Sequence, residues 1–147
     1  IDHIGATALQ DVPSLPVVDV QISVPSLSPE ARYREALSGL GFAMEAGHPD
    51  QTMRFFREVR TPSRVHLHVR AAGTLGEQAA LLLRDFLRQD DAARASFAAQ
   101  KRALASTAAA DEDASYAQGK PALLWAALAD AHRWAQDTGW APGVSDA

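Results

Sequence analysis

The segment Val17–Val24 limits the folds open to this chain more than any other, because its side chains alternate strictly between two kinds. One set is entirely apolar and the other is mostly polar: Val18, Val20, Ile22 and Val24 against Val17, Asp19, Gln21 and Ser23. A period of two is that of a β-strand, whose successive side chains point to opposite faces. The pattern therefore predicts a strand with one face in a core and the other face carrying a single acid.

Other strands and one helix are predicted in the first half of the chain. The further strands are Ile1–Ile4, Phe42–Glu45, Thr52–Arg60 and Arg64–Arg70, the last two as a hairpin. Ser28 as the N-cap and Pro29 at the first helical position predict a helix that ends near Leu40, before Gly41.

The second half has helical periodicity. Helices are predicted from Leu75, over about Ala92–Ser106, and over Ala114–Thr138 with Pro121 as a kink or break. Ala108–Asp113 is predicted to separate the last two, with Asp111 or Asp113 as a cap. We expect a single α+β domain over residues 1–147, sheet-rich in 1–72 and helical in 73–140, with a mixed sheet packed against a C-terminal helical layer. Since the chain begins at Ile1 within an apolar segment, we also expect an N-terminal segment to be missing.

Composition excludes several classes of protein. A hydrophobic content of 47% argues against disorder, and a net charge of −4 argues against a general nucleic-acid binder. Cysteine is absent, which excludes disulfides and thiolate metal sites. The apolar runs are too short to span a membrane. We expect a cytoplasmic protein that binds neither nucleic acid nor membrane.

The turn that precedes the alternating strand could hold an anion. Gly5 and its small neighbours allow a ligand close to the backbone amides, and Asp19 on the strand could bind a divalent metal. A second carboxylate is expected two residues later for two-metal chemistry, but Gln21 stands there, so another acid such as Glu58 would have to supply the charge. The alternative is an ordinary loop beside a hydrogen-bonded acid.

Histidines and cations could complete a phosphate site. His66 and His68 share one face of a strand, where they could bind phosphate or metal or act in acid–base catalysis. Further positive charges come from Arg84, Arg88, Lys101 and Lys120 on the predicted helices. The alternative is that all of these residues decorate solvated surfaces.

The aromatic residues of the C-terminal half are expected to serve packing. Trp125, Trp134 and Trp140 are predicted as packing anchors rather than stacking platforms, because basic residues do not interleave them. His132 is predicted to be a partly buried helix residue.

Together these segments resemble the GrpB family in order and spacing. The resemblance covers Ile1 to about Trp140 and is carried by Ile1–Ala8, Pro16–Val20, His66–Val69, Leu83–Arg88, Lys101, Tyr116 and Lys120. It implies a fold like that of the nucleotidyltransferase superfamily. Members occur alone or joined behind a dephospho-coenzyme A kinase, and residues 116–142 look particularly like the fused form, in which the domain is implied to aid folding of the kinase. No Walker A loop is present, so this chain is not itself the kinase.

The resemblance also implies a site. Asp19 would be the catalytic and metal-binding residue, with Mg²⁺ and a nucleoside triphosphate as its ligands. Nucleotide or phosphate contacts are implied for His3, Gly5, Ala6, Thr7, Gln21, His66, His68, Arg84, Lys101, Tyr116 and Lys120. Three departures from the family pattern weaken phosphate and metal binding: Ala6 in place of serine, Leu15 in place of lysine, and Gln21.

Three hypotheses remain open at this stage. The first is a nucleotide- or phosphate-binding accessory domain that catalyses slowly or not at all. The second is an active magnesium-dependent nucleotidyltransferase that acts on a small-molecule or protein acceptor. The third is a purely structural domain that assists a fused or separate kinase domain.

Overall fold

The sheet is mixed and has five strands. The computed structural model describes the backbone of residues 1–108 and 114–145 and the side chains of residues 1–106 and 120–145. The strands are β1 (Asp2–Ile4), β2 (Val18–Val24), β3 (Phe42–Met44), β4 (Met53–Glu58) and β5 (Val65–Ala71). The helices are α1 (Ala31–Gly39), α2 (Leu75–Gln89), α3 (Asp91–Ala108) and α4 (Ala114–Thr138), and Ala6–Ala8 form one turn of 3₁₀ helix.

The strand order places β2 and β5 side by side near the middle of the sheet. The order is β1-β2-β5-β4-β3, in which β2 and β5 run parallel and every other pair is antiparallel. The predicted β4–β5 hairpin is confirmed. The predicted class, a mixed sheet with a C-terminal helical layer, is confirmed as well.

The two faces of the sheet differ as the alternation in β2 predicts. One face is apolar and packs against α1, in a cluster built on Tyr33, Leu37, Phe56, Leu67 and Val69. The C-terminal helices form a second cluster with the loop before β2, which includes Val12, Leu82, Phe86, Leu87, Phe97 and Leu123. The polar face of β2 and β5 lies between these clusters. The fold thereby brings Asp19, Gln21, His66 and His68 together on that face.

The start of α1 differs from the prediction. The helix begins at Ala31, and Ser28 and Pro29 lie before it, joined by a cis peptide bond. The Ser26 hydroxyl donates to the Ser28 carbonyl and accepts from the Ser28 amide. Ser26 thereby builds a local turn that competes with helix capping, which is why the predicted N-cap was wrong.

The C-terminal aromatic residues divide into two groups. Trp134 packs 5.8 Å from the Phe86 ring and the Trp140 indole N–H donates to Asp85, so packing is confirmed for both. Trp125 is 70% exposed and His132 is exposed, so both predictions of burial were wrong. Helical period alone cannot tell which face of a long helix meets the core.

Helix α2 begins at Leu75 as predicted, whereas α3 extends one residue before and two residues beyond its predicted limits, so Ala108 is helical. Helix α4 has the predicted limits and continues through Pro121. The predicted caps Asp111 and Asp113 lie outside the described residues. Across the described part of the chain, none of the helices combines the length and the apolar character that crossing a bilayer requires.

Candidate functional site

The strand register arranges the polar face in two neighbouring rows, because residues directly opposite each other on paired strands share a face. The first row, from β1 to β3, is Ile4, Asp19, His66, Arg57 and Ala43. The second row is Asp2, Gln21, His68, Phe55 and Glu45. Asp19 therefore lies beside both histidines that the sequence analysis selected.

Asp19 is held by these two histidines. The His68 Nε2–H donates to Asp19 Oδ1 at 2.9 Å, and His66 Nδ1 lies 3.6 Å from the same oxygen. Partial burial by itself would raise the pKa of the Asp19 carboxyl. The hydrogen bond and charge of His68, and the positive charges that His66 and Lys120 carry at the acidic pH where Asp19 titrates, outweigh this effect. The pKa of Asp19 therefore lies below its ordinary value, and the carboxylate is ionised at neutral pH.

Gly5 closes the other side of Asp19. Its backbone has φ 73° and ψ −169°, a conformation that is essentially confined to glycine. A Cβ atom at this position would lie 2.7 Å from Asp19 Oδ2. The turn after β1 thus needs glycine both for its own conformation and for its contact with the carboxylate.

An aromatic cluster fixes the imidazoles. The Phe55 ring centroid lies 5.1 Å from the centroids of His48, His66 and His68, with the last two rings edge-on. On the same ring, the Arg57 guanidinium carbon lies 5.3 Å from the centroid. These contacts give the two histidines near Asp19 a defined orientation.

His66 is neutral at physiological pH. Burial lowers the pKa of its imidazole, and the charges of Arg57 and His68 act in the same direction, against the opposing effects of Asp19 and Glu45. A neutral imidazole has one N–H donor and one acceptor nitrogen, so His66 can donate a hydrogen bond to an anion or accept a proton from an acid.

Lys101 of α3 and Lys120 of α4 interact electrostatically with Asp19. Burial and the positive charge of Lys120 both lower the pKa of Lys101, while Asp19 opposes them. Lys120 also lowers the pKa of Asp19. Helices α3 and α4 therefore bring two mutually repelling ammonium groups toward one carboxylate, an arrangement that a bound anion would relieve.

The donors around Asp19 do not fit two-metal chemistry. Gln21 is fully buried, its amide donates to the Glu77 carbonyl at 3.3 Å, and its own oxygen has no hydrogen-bond partner among the described residues. The Glu77 carboxylate accepts from the Ser23 hydroxyl and from a loop amide. Glu58 is on the opposite face, because it directly follows Arg57 in β4, and it accepts from a loop amide. Among the described residues, no group of three or more His, Cys, Asp or Glu side chains could hold a metal ion.

Arg84 takes part in a largely buried ion-pair network, and its predicted phosphate contact stays a prediction. Its guanidinium is buried and pairs with Asp2 at 3.2 Å and with Asp85 at 2.7 Å. It also donates to the His3 carbonyl at 3.4 Å. Asp85 in turn accepts from Trp140, so this network joins β1, α2 and the C-terminal segment. Arg88 is exposed and donates to the Ala8 carbonyl.

The remaining predicted ligands lie at different places. His3 stands opposite Val20, on the apolar side of the sheet, and its Nε2 lies 2.9 Å from the Thr7 hydroxyl. Ala6 packs against the helical cluster. The side chain of Tyr116 lies outside the described residues. Phosphate contacts from these residues stay predictions.

A cavity of about 250 Å³ lies next to this site, at the turn between β3 and β4. Its lining includes Glu45, His48, Met53 and Phe55. Asp19, His66 and His68 do not line it. Phe55 is thus the common wall between this cavity and the histidines.

Sequence reasoning did not select Arg57, Phe55 and His48. The hairpin was predicted, but its register was not, so the position of Arg57 opposite His66 could not be read from the pattern. Alternation within β4 does place Phe55 and Arg57 on one face, and that signal was available.

This chain is therefore an α+β domain with an aspartate–histidine cluster on the polar face of a mixed sheet. The family model described as GrpB protein matches residues 1–130, and the chain belongs to the GrpB family. It is 36% identical to a UPF0157 protein of Streptomyces coelicolor over 105 residues, which are 71% of this chain and 54% of the relative. It is 33% identical to a dephospho-CoA kinase of Mycolicibacterium paratuberculosis, over 97% of this chain and 41% of the kinase.

A solved structure shares the fold. The crystal structure of conserved protein GrpB from Enterococcus faecalis matches with a TM-score of 0.74 and 20% identity, over 88% of this chain and 78% of that one. This likeness shows the fold alone. The chain spans about half the length of the curated relatives described above, or less.

Proposed function

We propose that the Asp19 region binds the phosphates of a nucleotide or a similar phosphorylated small molecule without a metal ion, and that the domain does not transfer a nucleotidyl group. The observation that carries the proposal is the contact of His68 and His66 with Asp19 Oδ1, at 2.9 and 3.6 Å, while the charges of Lys101 and Lys120 act on the same carboxylate. Four nitrogen-bearing side chains around one acid leave a surplus of hydrogen-bond donors and positive charge, which suits phosphate oxygens.

The proposed lack of nucleotidyl transfer follows from the absence of a second carboxylate at the position of Gln21. In-line phosphoryl transfer of this type uses metal ions held by carboxylates. Gln21 occupies the position of the second acid and is directed to Glu77 instead. The nucleotidyltransferase-like topology implied by the family resemblance would then serve binding alone.

The test is thermal unfolding with ATP in the presence of EDTA. A ligand that binds only the folded state stabilises it by about 2.7 kcal/mol at 100 times its Kd. We expect ATP to raise the Tm of the wild type and to have no effect on the double variant Lys101→Ala/Lys120→Ala. The matched control is Arg32→Ala/Arg34→Ala, which removes two exposed charges from α1.

Asp19→Asn separates this proposal from metal-dependent binding. Asparagine retains the oxygen that accepts from His68 and removes a negative charge that repels phosphate. We therefore expect ATP to bind Asp19→Asn at least as tightly as it binds the wild type in EDTA. A Tm shift that requires Mg²⁺ and disappears in Asp19→Asn would contradict the proposal and favour the active transferase.

A second candidate function is assistance to a kinase domain. It is favoured by the match to the dephospho-CoA kinase of Mycolicibacterium paratuberculosis, because this match covers 97% of this chain and 41% of the kinase. Deleting the matching region from that kinase would lower its soluble yield if the region aids folding, and supplying this chain in trans would restore it. Unchanged yield after the deletion would refute this role.

A further inference from the structure

Arg57 is a cation on the polar face that the proposed function has not used. It follows Asp19 and His66 along the same row of the sheet, two strands away from Asp19. Neighbouring strands are about 4.8 Å apart, so the backbones at Asp19 and Arg57 are separated by about 10 Å. The Arg57 guanidinium also pairs with Glu45, which lies on the side of β4 away from Asp19, so a single phosphate beside Asp19 does not contact both ends of this row.

The Arg57 guanidinium is ordered by its neighbours and is still accessible. It stacks over Phe55 at 5.3 Å, and its Nε lies 2.9 Å from Glu45 Oε2. The Arg57 side chain is 54% exposed, and Glu45 is its one ion-pair partner in the described part of the chain. The terminal nitrogens of a guanidinium fixed in this way suit bidentate contact with phosphate.

The pair with Glu45 does not prevent this contact. Both partners are more than a third exposed, and exposed ion pairs contribute little to stability. Exchange of the carboxylate for a phosphate oxygen, or sharing between the two, therefore costs little free energy. Stacking on Phe55 keeps the guanidinium in place during the exchange.

We propose that Arg57 binds a second phosphate of the ligand, so that the site selects molecules with two or more linked phosphates over monophosphates. The first phosphate lies near Asp19, His66, Lys101 and Lys120, and the phosphate chain follows the row of the sheet toward Arg57. This inference rests on the proposed function, because it requires an anion at the Asp19 end.

The test is isothermal titration calorimetry in EDTA, with orthophosphate and pyrophosphate as the probes. We expect the wild type to bind pyrophosphate at least tenfold more tightly than orthophosphate, which corresponds to one additional charge-assisted contact. Arg57→Ala should lose this tenfold preference and leave orthophosphate affinity unchanged. The control Arg34→Ala removes an exposed arginine from α1, on the apolar side of the sheet, and should preserve the preference.

Two further variants make the test specific. Glu45→Gln removes the competing carboxylate and should strengthen pyrophosphate binding while orthophosphate binding stays the same. Arg57→Lys keeps the charge and loses the planar fork, so it should recover only part of the preference. Both residues are on the surface, so these variants should fold.

The outcomes separate this inference from the function it rests on. If orthophosphate binds and depends on Lys101 and Lys120, but Arg57→Ala keeps the pyrophosphate preference, the role of Arg57 is refuted and the anion site stands. If neither anion binds the wild type, the proposed function and the role of Arg57 both fail.

Discussion

Gly5→Ala is the substitution whose effect can be worked out most fully from the structure. Gly5 has a backbone conformation that is essentially restricted to glycine, and such a conformation costs another residue on the order of 1–3 kcal/mol. The new Cβ would also lie 2.7 Å from Asp19 Oδ2 and 3.1 Å from Asp19 Cβ. The carboxylate cannot move away freely, because His68 holds its other oxygen at 2.9 Å.

The expected loss of unfolding free energy is the sum of these effects. Loss of a hydrogen bond to a charged group costs about 1.5–3 kcal/mol, so the total with the backbone cost should be about 2.5–6 kcal/mol. At about 2–4 °C per kcal/mol for a chain of this size, the Tm should fall by about 5–24 °C. Urea unfolding followed by circular dichroism would measure the free energy, and a thermal scan would measure the Tm.

Gly47→Ala is the matched control. Gly47 also has a positive φ, of 76°, but among the described residues no heavy atom lies within 4 Å of the position that a Cβ would take there. It should show the cost of a positive φ without the contact. In the double variant Gly5→Ala/Asp19→Ala, the two effects should be non-additive by about 0.5–3 kcal/mol, because removing the carboxylate removes the clash. Equal losses for Gly5→Ala and Gly47→Ala, together with additivity in the double variant, would refute the reasoning.

Three other predictions concern stability. Folding lowers the pKa of His66 below 6.5 and that of Asp19 below 3.8, so the unfolded chain binds more protons. The unfolding free energy should therefore fall as the pH drops through and below 6.5, and it should fall again below 3.8. Urea titrations at several pH values would measure both declines. His66→Gln should flatten the first decline, and Asp19→Asn should flatten the second. Arg84→Met removes the guanidinium that Asp2 and Asp85, both largely buried, share, and it should cost about 3 kcal/mol in urea unfolding; a loss below about 1 kcal/mol would show that the network is not structural. Trp134→Ala should cost about 3 kcal/mol, whereas Trp125→Ala should change the free energy by less than about 0.5 kcal/mol; equal losses would contradict the assigned burial.

Local patterns in the sequence predicted the elements well where one physical signal dominated. The period of two in Val17–Val24 predicted β2 to within one residue, and helical periodicity predicted the limits of α4. Both patterns arise from burial of one side of an element, which is written into the sequence residue by residue. At the start of α1 two local signals competed, and the turn made by Ser26 prevailed over capping by Ser28.

Long-range pairings were not predictable in the same way. The pairing of Arg84 with Asp2 could not be read from the sequence, because the two residues are 82 positions apart in the chain. Arg57 was missed because the hairpin register, not the sequence spacing, puts it opposite His66. The sequence predicted that Asp19 and the two histidines contribute to one site, but not that His68 contacts the carboxylate. The register of the parallel pair β2–β5 decides which histidine makes this contact.

The central claim is that an anion binds beside Asp19 without metal, and histidine NMR tests it most directly. Long-range ¹H–¹⁵N spectra report each imidazole, and His132, which is exposed on α4, is an internal control. On titration with pyrophosphate in EDTA, we predict saturable shifts for His66 and His68, a rise in the pKa of His66 and no change at His132. Unchanged His66 and His68 resonances, or shifts that appear only after Mg²⁺ is added, would contradict the claim.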